Sequence, residues 1–146
     1  MVPTPPDPGP SGDHGQRTLT VDTSDRYLVD LTDAVGEFCA DRGDGLVNVF
    51  VPHATAGLAL IETGSGSEPD LVELLERLLP RDDRYRHRHG APGHGADHLL
   101  PAVMSPSLVI PVDGGRAALG TWQRVVLVDL NTDNPERRVR LTFLAF

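Results

Sequence analysis

Apolar and polar residues alternate over residues 17–23, which is the period-two pattern of a half-buried β-strand. Four apolar residues then recur at intervals of three and four, which is typical of an amphipathic helix: Leu28, Leu31, Val35 and Phe38. Gly43 and Gly45 end this helix. Cys39 lies beside the apolar face, so it is interpreted as a small core residue.

The middle of the chain predicts two strands and a second helix. Residues 46–51 and 58–62 are short apolar runs separated by the strand-breaking segment 52–57. A leucine stripe then predicts the clearest helix of the chain: Leu71, Leu74, Leu75, Leu78 and Leu79. We expect Ser67 to be its N-cap and Pro80 to end it.

The C-terminal third predicts a short helix or turn over 99–104 and a strand over 107–112. Two more strands, 123–130 and 138–146, flank the turn-forming segment 131–136, so an antiparallel hairpin is expected. Strands and helices without strict alternation indicate an α+β fold. We therefore predict mostly antiparallel, sandwich-like sheets carrying two to three helices.

Two polar segments interrupt these elements. Residues 1–16 contain five prolines and three glycines among few apolar residues, which predicts a disordered leader before a single domain over 17–146. Residues 81–98 carry four arginines and four histidines with few apolar side chains. Polar loops of this length are usually functional or disordered.

Composition narrows the class of protein. The chain has 146 residues and a net charge of -8, which argues against a general nucleic-acid binder. No apolar run is long enough to span a bilayer and no secretory signal is visible, so we expect a cytoplasmic protein without a membrane partner. The single cysteine excludes an internal disulfide. All 13 basic residues are arginine, so lysine-dependent chemistry is excluded.

Histidines are the main candidates for chemistry near neutral pH. Four of them fall within twelve residues, and a fifth, His53, follows a predicted strand. Three imidazoles with an open position would suit zinc or a similar ion. A solvated polar loop is the alternative interpretation.

Arginines and one glutamate also admit two interpretations. The arginines of 81–88, with Arg116 from another loop, would hold phosphate oxygens, or would instead form local ion pairs with neighbouring aspartates. Glu62 ends an apolar strand. It would serve as a general base, as a metal ligand or only as an edge residue.

Several motifs resemble those of the YjbQ family, a family of uncharacterised proteins. Residues 51–57, VPHATAG, resemble its PH-T-T-A segment, and residues 80–87 resemble its P-x-D…Y-R-H segment. His98 and the following Ser-Pro-Ser-Leu resemble another block. Residues 115–123, GRAALGTWQ, are similar to the family's G-R-L-A-L-G-T-W-Q block, and the matches run in order from residue 17 to residue 146.

The resemblance implies a sandwich-like domain that assembles as a homotrimer. It also implies thiamine-phosphate synthase activity, which joins hydroxymethylpyrimidine diphosphate to thiazole phosphate and releases diphosphate. The matched functional positions are His53, His87, His98, Arg116, Trp122 and Gln123. Three residues depart from the family pattern, Ile61, Ala96 and Leu100, and they bear on whether catalysis is retained.

Two hypotheses of different classes follow. In the first, the leaving diphosphate is neutralised by a divalent ion such as zinc on His53, His87 and His98, or by magnesium on the substrate phosphates. Arg86 and Arg116 would bind its phosphate oxygens, and the same resemblance adds Glu62, Trp122 and Gln123 to the site. In the second, the trimer binds a metal ion or a small phosphorylated metabolite without catalysis.

Two details of these hypotheses depend on the structure. Trp122 would stack on a heterocycle or, instead, anchor the core. His89 and His94 match no family histidine and are expected to be dispensable. A purely structural trimer is the third possibility.

Overall fold

A computed structural model describes residues 15–146. The predicted leader therefore lies outside the described residues, except for Gly15 and Gln16, and Gln16 already belongs to the first strand. The elements in chain order are β1 (Gln16–Asp22), β2 (Leu28–Asp30), α1 (Thr32–Cys39), β3 (Gly45–Phe50), β4 (Gly57–Ile61), α2 (Ser67–Leu78), α3 (His94–Asp97), α4 (Leu100–Val103), β5 (Ser107–Asp113), β6 (Arg116–Ala117), β7 (Arg124–Val128) and β8 (Glu136–Ala145).

The strands form two antiparallel sheets. The larger sheet has five strands in the order β1-β8-β3-β5-β6, and the smaller has three in the order β2-β7-β4. In the larger sheet, Val49 on β3 pairs with Leu108 on one side and Leu141 on the other. The arrangement confirms the predicted α+β class with antiparallel sheets.

The main core lies between the two sheets and α1. Alternate residues of each strand point into it, as the period-two pattern requires. Its fully buried members include Val47, Val49 and Leu141 from the larger sheet and Leu127 from the smaller one. Cys39 is buried in this core, which confirms its interpretation as a core residue.

A second core lies on the other face of the smaller sheet. Val126 and Val128 point away from the main core and pack with Leu75 of α2 and Leu100 of α4. Strand β7 is therefore buried on both faces, which explains its continuous apolar sequence. The two helices hold the start and the end of the histidine-rich segment against this sheet.

Two predictions about helix starts were wrong. Residues 28–30 form strand β2, which pairs with β7 (Leu28 opposite Val128), so the first helix begins only at Thr32. Ser67 is the first residue of α2 and not its N-cap, since Gly66 takes that position with a left-handed φ of 100°. The Glu68 carboxylate instead accepts a hydrogen bond from the backbone N–H of Gly64 at 2.8 Å.

The predicted C-terminal hairpin was also wrong. Strand β7 pairs with β2 and β4, whereas β8 pairs with β1 and β3 in the other sheet. The segment 129–135 thus carries the chain from one sheet to the other, and buried polar contacts of Asp129, Asn131 and Arg137 hold it there. Among residues 15–146, no helix is long and apolar enough to cross a membrane.

Candidate functional site

The histidine-rich segment folds as a loop over the short helix α3. Helix α2 stops before Pro80, and the loop has no regular structure until α3 begins at His94. Gly95 permits close packing, because a Cβ at this position would lie 2.7 Å from the carbonyl oxygen of His87 and 2.7 Å from Cβ of Tyr85. Any larger residue there would push the His87 backbone away from α3.

Four imidazoles meet in this loop. His87, His89 and His94 each offer a ring nitrogen, and these nitrogens lie within 4.8 Å of one another. His98 packs against the same group, with its ring centroid 4.3 Å from that of His87 and 4.5 Å from that of His94, but 6.3 Å from that of His89. These four residues are called the histidine cluster below.

His94 has a defined partner on each ring nitrogen. Its Nδ1 lies 3.0 Å from Oδ2 of Asp133, and its Nε2 lies 2.9 Å from Nε2 of His98. A carboxylate accepts a proton, so neutral His94 carries its proton on Nδ1 and leaves Nε2 as an acceptor. His98 is then the donor in the contact between the two rings. The electron pair on Nε2 of His94 is therefore the one a metal ion would bind, in place of the hydrogen bond from His98.

The environment favours the neutral form of two of these histidines. Partial desolvation, and secondly the neighbouring imidazoles, lower the pKa of His87 and of His98 below the ordinary value. The hydrogen bond from His94 lowers the pKa of Asp133. An ionised carboxylate therefore lies at the edge of the cluster, next to imidazoles that bind protons less readily.

A cleft of about 370 Å³ opens beside the cluster. Its walls include His87, His89 and His94, together with Tyr85 and Arg88. The Arg88 Nε–H donates to the carbonyl oxygen of Tyr85 at 2.7 Å. Within residues 15–146, the hydroxyl of Tyr85 is buried without a hydrogen-bond partner. Asp82 and Asp83 also line the cleft, so both cationic and anionic groups lie next to the imidazoles.

His53 lies in a different environment. Its Nε2 accepts a hydrogen bond from the backbone N–H of Arg138 at 2.8 Å. Burial, and then the nearby Arg137, lower its pKa. His53 makes no ring contact with the histidine cluster within the described residues of one chain. A single chain therefore brings His87 and His98 together, and His53 makes its contacts elsewhere.

The other predicted site residues lie at exposed positions. Glu62, Arg86 and Arg116 are all exposed, and none of them lines the cleft beside the histidine cluster. Trp122 is 70% exposed, so it does not anchor the core. Gln123 closes a tight turn, since its side-chain oxygen accepts the backbone N–H of Gly120 at 2.8 Å. Their roles in a site stay predictions.

Three residues of the candidate site were not predicted from the sequence. His89 and His94 were expected to be dispensable, yet both belong to the histidine cluster. The four-residue spacing of His94 and His98 was a usable signal, because α3 and its C-cap place them on one face. Asp133 gave no signal, since it lies 39 residues after His94.

Two arginines of the loop form ion pairs, one of the two interpretations made from the sequence. Arg84 pairs with Asp82 across two hydrogen bonds of 2.8 Å on the surface, which is the local ion pair. Arg81 instead forms an ion pair with the buried carboxylate of Asp97 in α3. Both arginines therefore have carboxylate partners.

Comparisons with known proteins agree with this fold. The family described as UPF0047 protein YjbQ-like matches residues 17–145. A UPF0047 protein of Mycobacterium bovis is 68% identical over 126 residues, covering 86% of this chain and 98% of that protein. The UPF0047 protein YjbQ of Escherichia coli is 28% identical over 131 residues, covering 87% of this chain and 95% of that protein.

Solved structures show the same architecture. A hypothetical protein from Aeropyrum pernix superposes with a TM-score of 0.79 at 34% identity, covering 90% of this chain and 98% of that one. A YbjQ-like protein of unknown function from Sulfolobus solfataricus superposes with a TM-score of 0.82 at 25% identity, covering 90% and 96%. The chain therefore belongs to the YjbQ (UPF0047) family.

Proposed function

We propose that the histidine cluster binds a divalent transition-metal ion and that the adjacent cleft receives a small phosphorylated molecule. The observation that supports the metal site most strongly is the convergence of ring nitrogens from His87, His89 and His94 within 4.8 Å. Three such nitrogens leave a fourth position open at a tetrahedral ion, the arrangement of zinc sites that react or exchange ligands.

The separation of the nitrogens suits such an ion. Zinc–nitrogen bonds of about 2.0–2.1 Å at tetrahedral angles place ligand nitrogens about 3.4 Å apart. The nitrogens of the cluster lie within reach of that spacing, so modest side-chain rotations complete the site. Imidazole ligands favour zinc, copper or nickel over magnesium, which prefers oxygen. Zinc is therefore the better of the two ions expected from the sequence.

His98 occupies the edge of the cluster. It contacts His94 directly but lies far from His89. It would therefore serve as a hydrogen-bond partner for whatever group takes the open position at the ion. Polar contacts of this kind hold an incoming ligand and also stabilise charge that develops on it.

The cleft has the groups that a phosphate ester needs. Arg88 is exposed in the cleft wall, and its Nε–H donates to the carbonyl oxygen of Tyr85. Guanidinium groups bind phosphate oxygens in a bidentate manner. A volume of about 370 Å³ matches the lower part of the range for small-molecule sites. Arg86 and Arg116 remain predicted contributors from outside this cleft.

Thiamine-phosphate synthesis is the more specific form of this proposal. In that reaction the bond from the pyrimidine methylene carbon to diphosphate breaks, and a bond to the thiazole nitrogen forms. The main requirement is to stabilise the charge of the departing diphosphate. The guanidinium of Arg88 beside the imidazoles supports this chemistry, although the carboxylates of Asp82 and Asp83 also line the cleft. The homotrimer implied by the resemblance stays a prediction alongside it.

The first test measures metal and phosphate binding together. We expect untagged protein to bind cobalt(II), a spectroscopic substitute for zinc, and inorganic diphosphate to raise its melting temperature further only when the metal is bound. Equal shifts with and without metal would contradict a shared site. Incubation with both thiamine precursors then separates the hypotheses, since product indicates the synthase and binding without product indicates a binding protein.

The pH dependence of metal binding is a second prediction. Protonated imidazole cannot bind a metal ion, and the ordinary histidine pKa is about 6.5. The pKa of His87, one of the proposed ligands, lies below that value, so protons compete for this imidazole only at lower pH. Cobalt affinity should fall as the pH is lowered from about 7.5 to about 5.5, because protons then compete with the metal for the ring nitrogens. Equal affinity at the two pH values would contradict imidazole ligands.

A further inference from the structure

We propose that Asn131 is a positioning residue of the metal site. It holds the turn that carries Asp133, and Asp133 in turn fixes the protonation and the direction of the His94 ring. This inference rests on the proposed function for its consequence in metal binding. Its structural part, the control of His94 by Asn131, can be tested without metal.

Asn131 is buried and uses both ends of its side-chain amide. Its oxygen accepts the backbone N–H groups of Asp133 at 3.0 Å and Asn134 at 3.2 Å, which closes a turn. Its nitrogen donates to Oδ2 of Asp97 at 2.9 Å. The side chain therefore connects the turn after β7 to helix α3, which carries His94.

The anchor on α3 is itself held firmly. Asp97 is 2% exposed, and the guanidinium of Arg81 pairs with its carboxylate. A buried carboxylate with an arginine partner and an amide donor has its charge and its lone pairs satisfied. Asp97 thus provides a fixed acceptor, to which the amide nitrogen of Asn131 binds in one orientation.

The turn then delivers Asp133 to His94. Oδ2 of Asp133 lies 3.0 Å from Nδ1 of His94 and 3.4 Å from the backbone N–H of Ala91. Ala91 lies in the histidine-rich loop and His94 begins α3. The Asp133 carboxylate therefore connects the turn after β7 to both. A carboxylate on the second nitrogen of an imidazole fixes the tautomer and the ring direction of a metal ligand.

The side-chain amide of Asn131 makes three hydrogen bonds at once. It accepts the backbone N–H groups of Asp133 and Asn134, and it donates to Asp97. Asp133 itself is partly exposed, and its carboxylate would otherwise turn toward solvent. A positioning role differs from a stabilising one, since it predicts a change in the protonation of His94 and of its partner His98 in a protein that stays folded. The protonation of His94 in a folded variant therefore distinguishes the two roles.

The experiment compares Asn131→Ala with Thr132→Ala, an exposed neighbour in the same turn. Two-bond proton–nitrogen spectra of the full chain without metal report which ring nitrogen of His94 carries the proton. We expect Nδ1 to be protonated in the wild type and in Thr132→Ala. In Asn131→Ala we expect a mixture of the two tautomers. Asp133→Ala, at an exposed position, should reproduce that mixture.

Cobalt(II) affinity is the second measurement. We expect Asn131→Ala and Asp133→Ala to weaken it by about 10- to 100-fold, the range for loss of a partner to a metal-bound histidine. Thr132→Ala should leave it unchanged. If Asn131→Ala does not fold, Asn131→Ser keeps a turn-closing hydroxyl but cannot reach Asp97, and it should show the same two effects in weaker form.

The outcomes separate the two proposals. An unchanged His94 tautomer in folded Asn131→Ala or Asn131→Ser would overturn the positioning role, whatever the metal affinity. A tautomer change in a protein whose wild type binds no cobalt would support the positioning role and would contradict only the proposed metal function. A tautomer change together with weaker binding supports both.

Discussion

Replacing Arg137 with methionine is expected to lower the free energy of unfolding by about 3–5 kcal/mol. Arg137 is only 1% exposed, and its guanidinium donates to both carboxylate oxygens of Asp129, at 2.7 and 2.9 Å. It also donates to the hydroxyl of Thr55 at 2.9 Å. Methionine would leave Asp129 buried and without its cationic partner, and an uncompensated buried charge is strongly destabilising.

Urea denaturation of the two proteins measures this effect. Arg138→Met is the matched control, because the Arg138 side chain is exposed on the same strand and should change stability by no more than about 0.5 kcal/mol. A loss smaller than about 1 kcal/mol in Arg137→Met would show that the buried pair contributes little beyond hydrophobic packing.

Single replacements in the histidine cluster should have the largest effect on metal binding. We expect His87→Ala and His94→Ala each to weaken cobalt affinity by at least about 100-fold. Removing only the hydrogen-bond partner of a metal-binding histidine already weakens affinity by about 10- to 100-fold, and removing the histidine itself should weaken it more. His89→Ala should act in the same direction, because its ring nitrogen belongs to the same group. Isothermal titration of untagged protein measures all of these affinities.

His53→Ala is the discriminating control. His53 binds the backbone of Arg138 and does not contact the cluster within a chain. Its replacement should leave the affinity unchanged while the three cluster variants lose theirs. A loss in His53→Ala equal to that in His87→Ala would restore the triad predicted from the sequence and would require a contribution from a neighbouring subunit.

Most strands could be predicted because their burial follows a regular period. Residues 46–51 and 107–112 alternate between core and surface, so sequence and structure agree within a residue or two. Strand β2 could not be predicted, because the three-residue spacing of Leu28 and Leu31 is typical of a helix. Pairing of Leu28 with Val128 across the sheet decided the outcome.

The connection between β7 and β8 could not be predicted for a different reason. Its sequence has turn-forming residues, and a hairpin was the simplest interpretation. The chain crosses between sheets because Asp129 and Arg137 form a buried pair that joins the two strand ends. Their eight-residue spacing does not predict such a pair, because the contribution of the pair to stability depends on burial, which only the folded chain provides.

The sequence indicated a histidine-rich loop as the candidate site but did not predict which of its residues come together. The loop and its histidines were identified from their polarity and spacing, and His87 and His98 do lie together. His94 was expected to be dispensable because it matches no family histidine. Gly93 and Gly95 permit the tight packing of α3, with Gly93 at a φ of 88° and Gly95 against the backbone of His87.

The metal content of untagged protein tests the central claim most directly. The protein would be exposed to excess zinc, dialysed extensively and subjected to elemental analysis beside its His94→Ala variant. A tetrahedral site built on the histidine cluster predicts about one ion per chain in the wild type and almost none in the variant. Far less than one ion in the wild type, or equal content in both proteins, would contradict it.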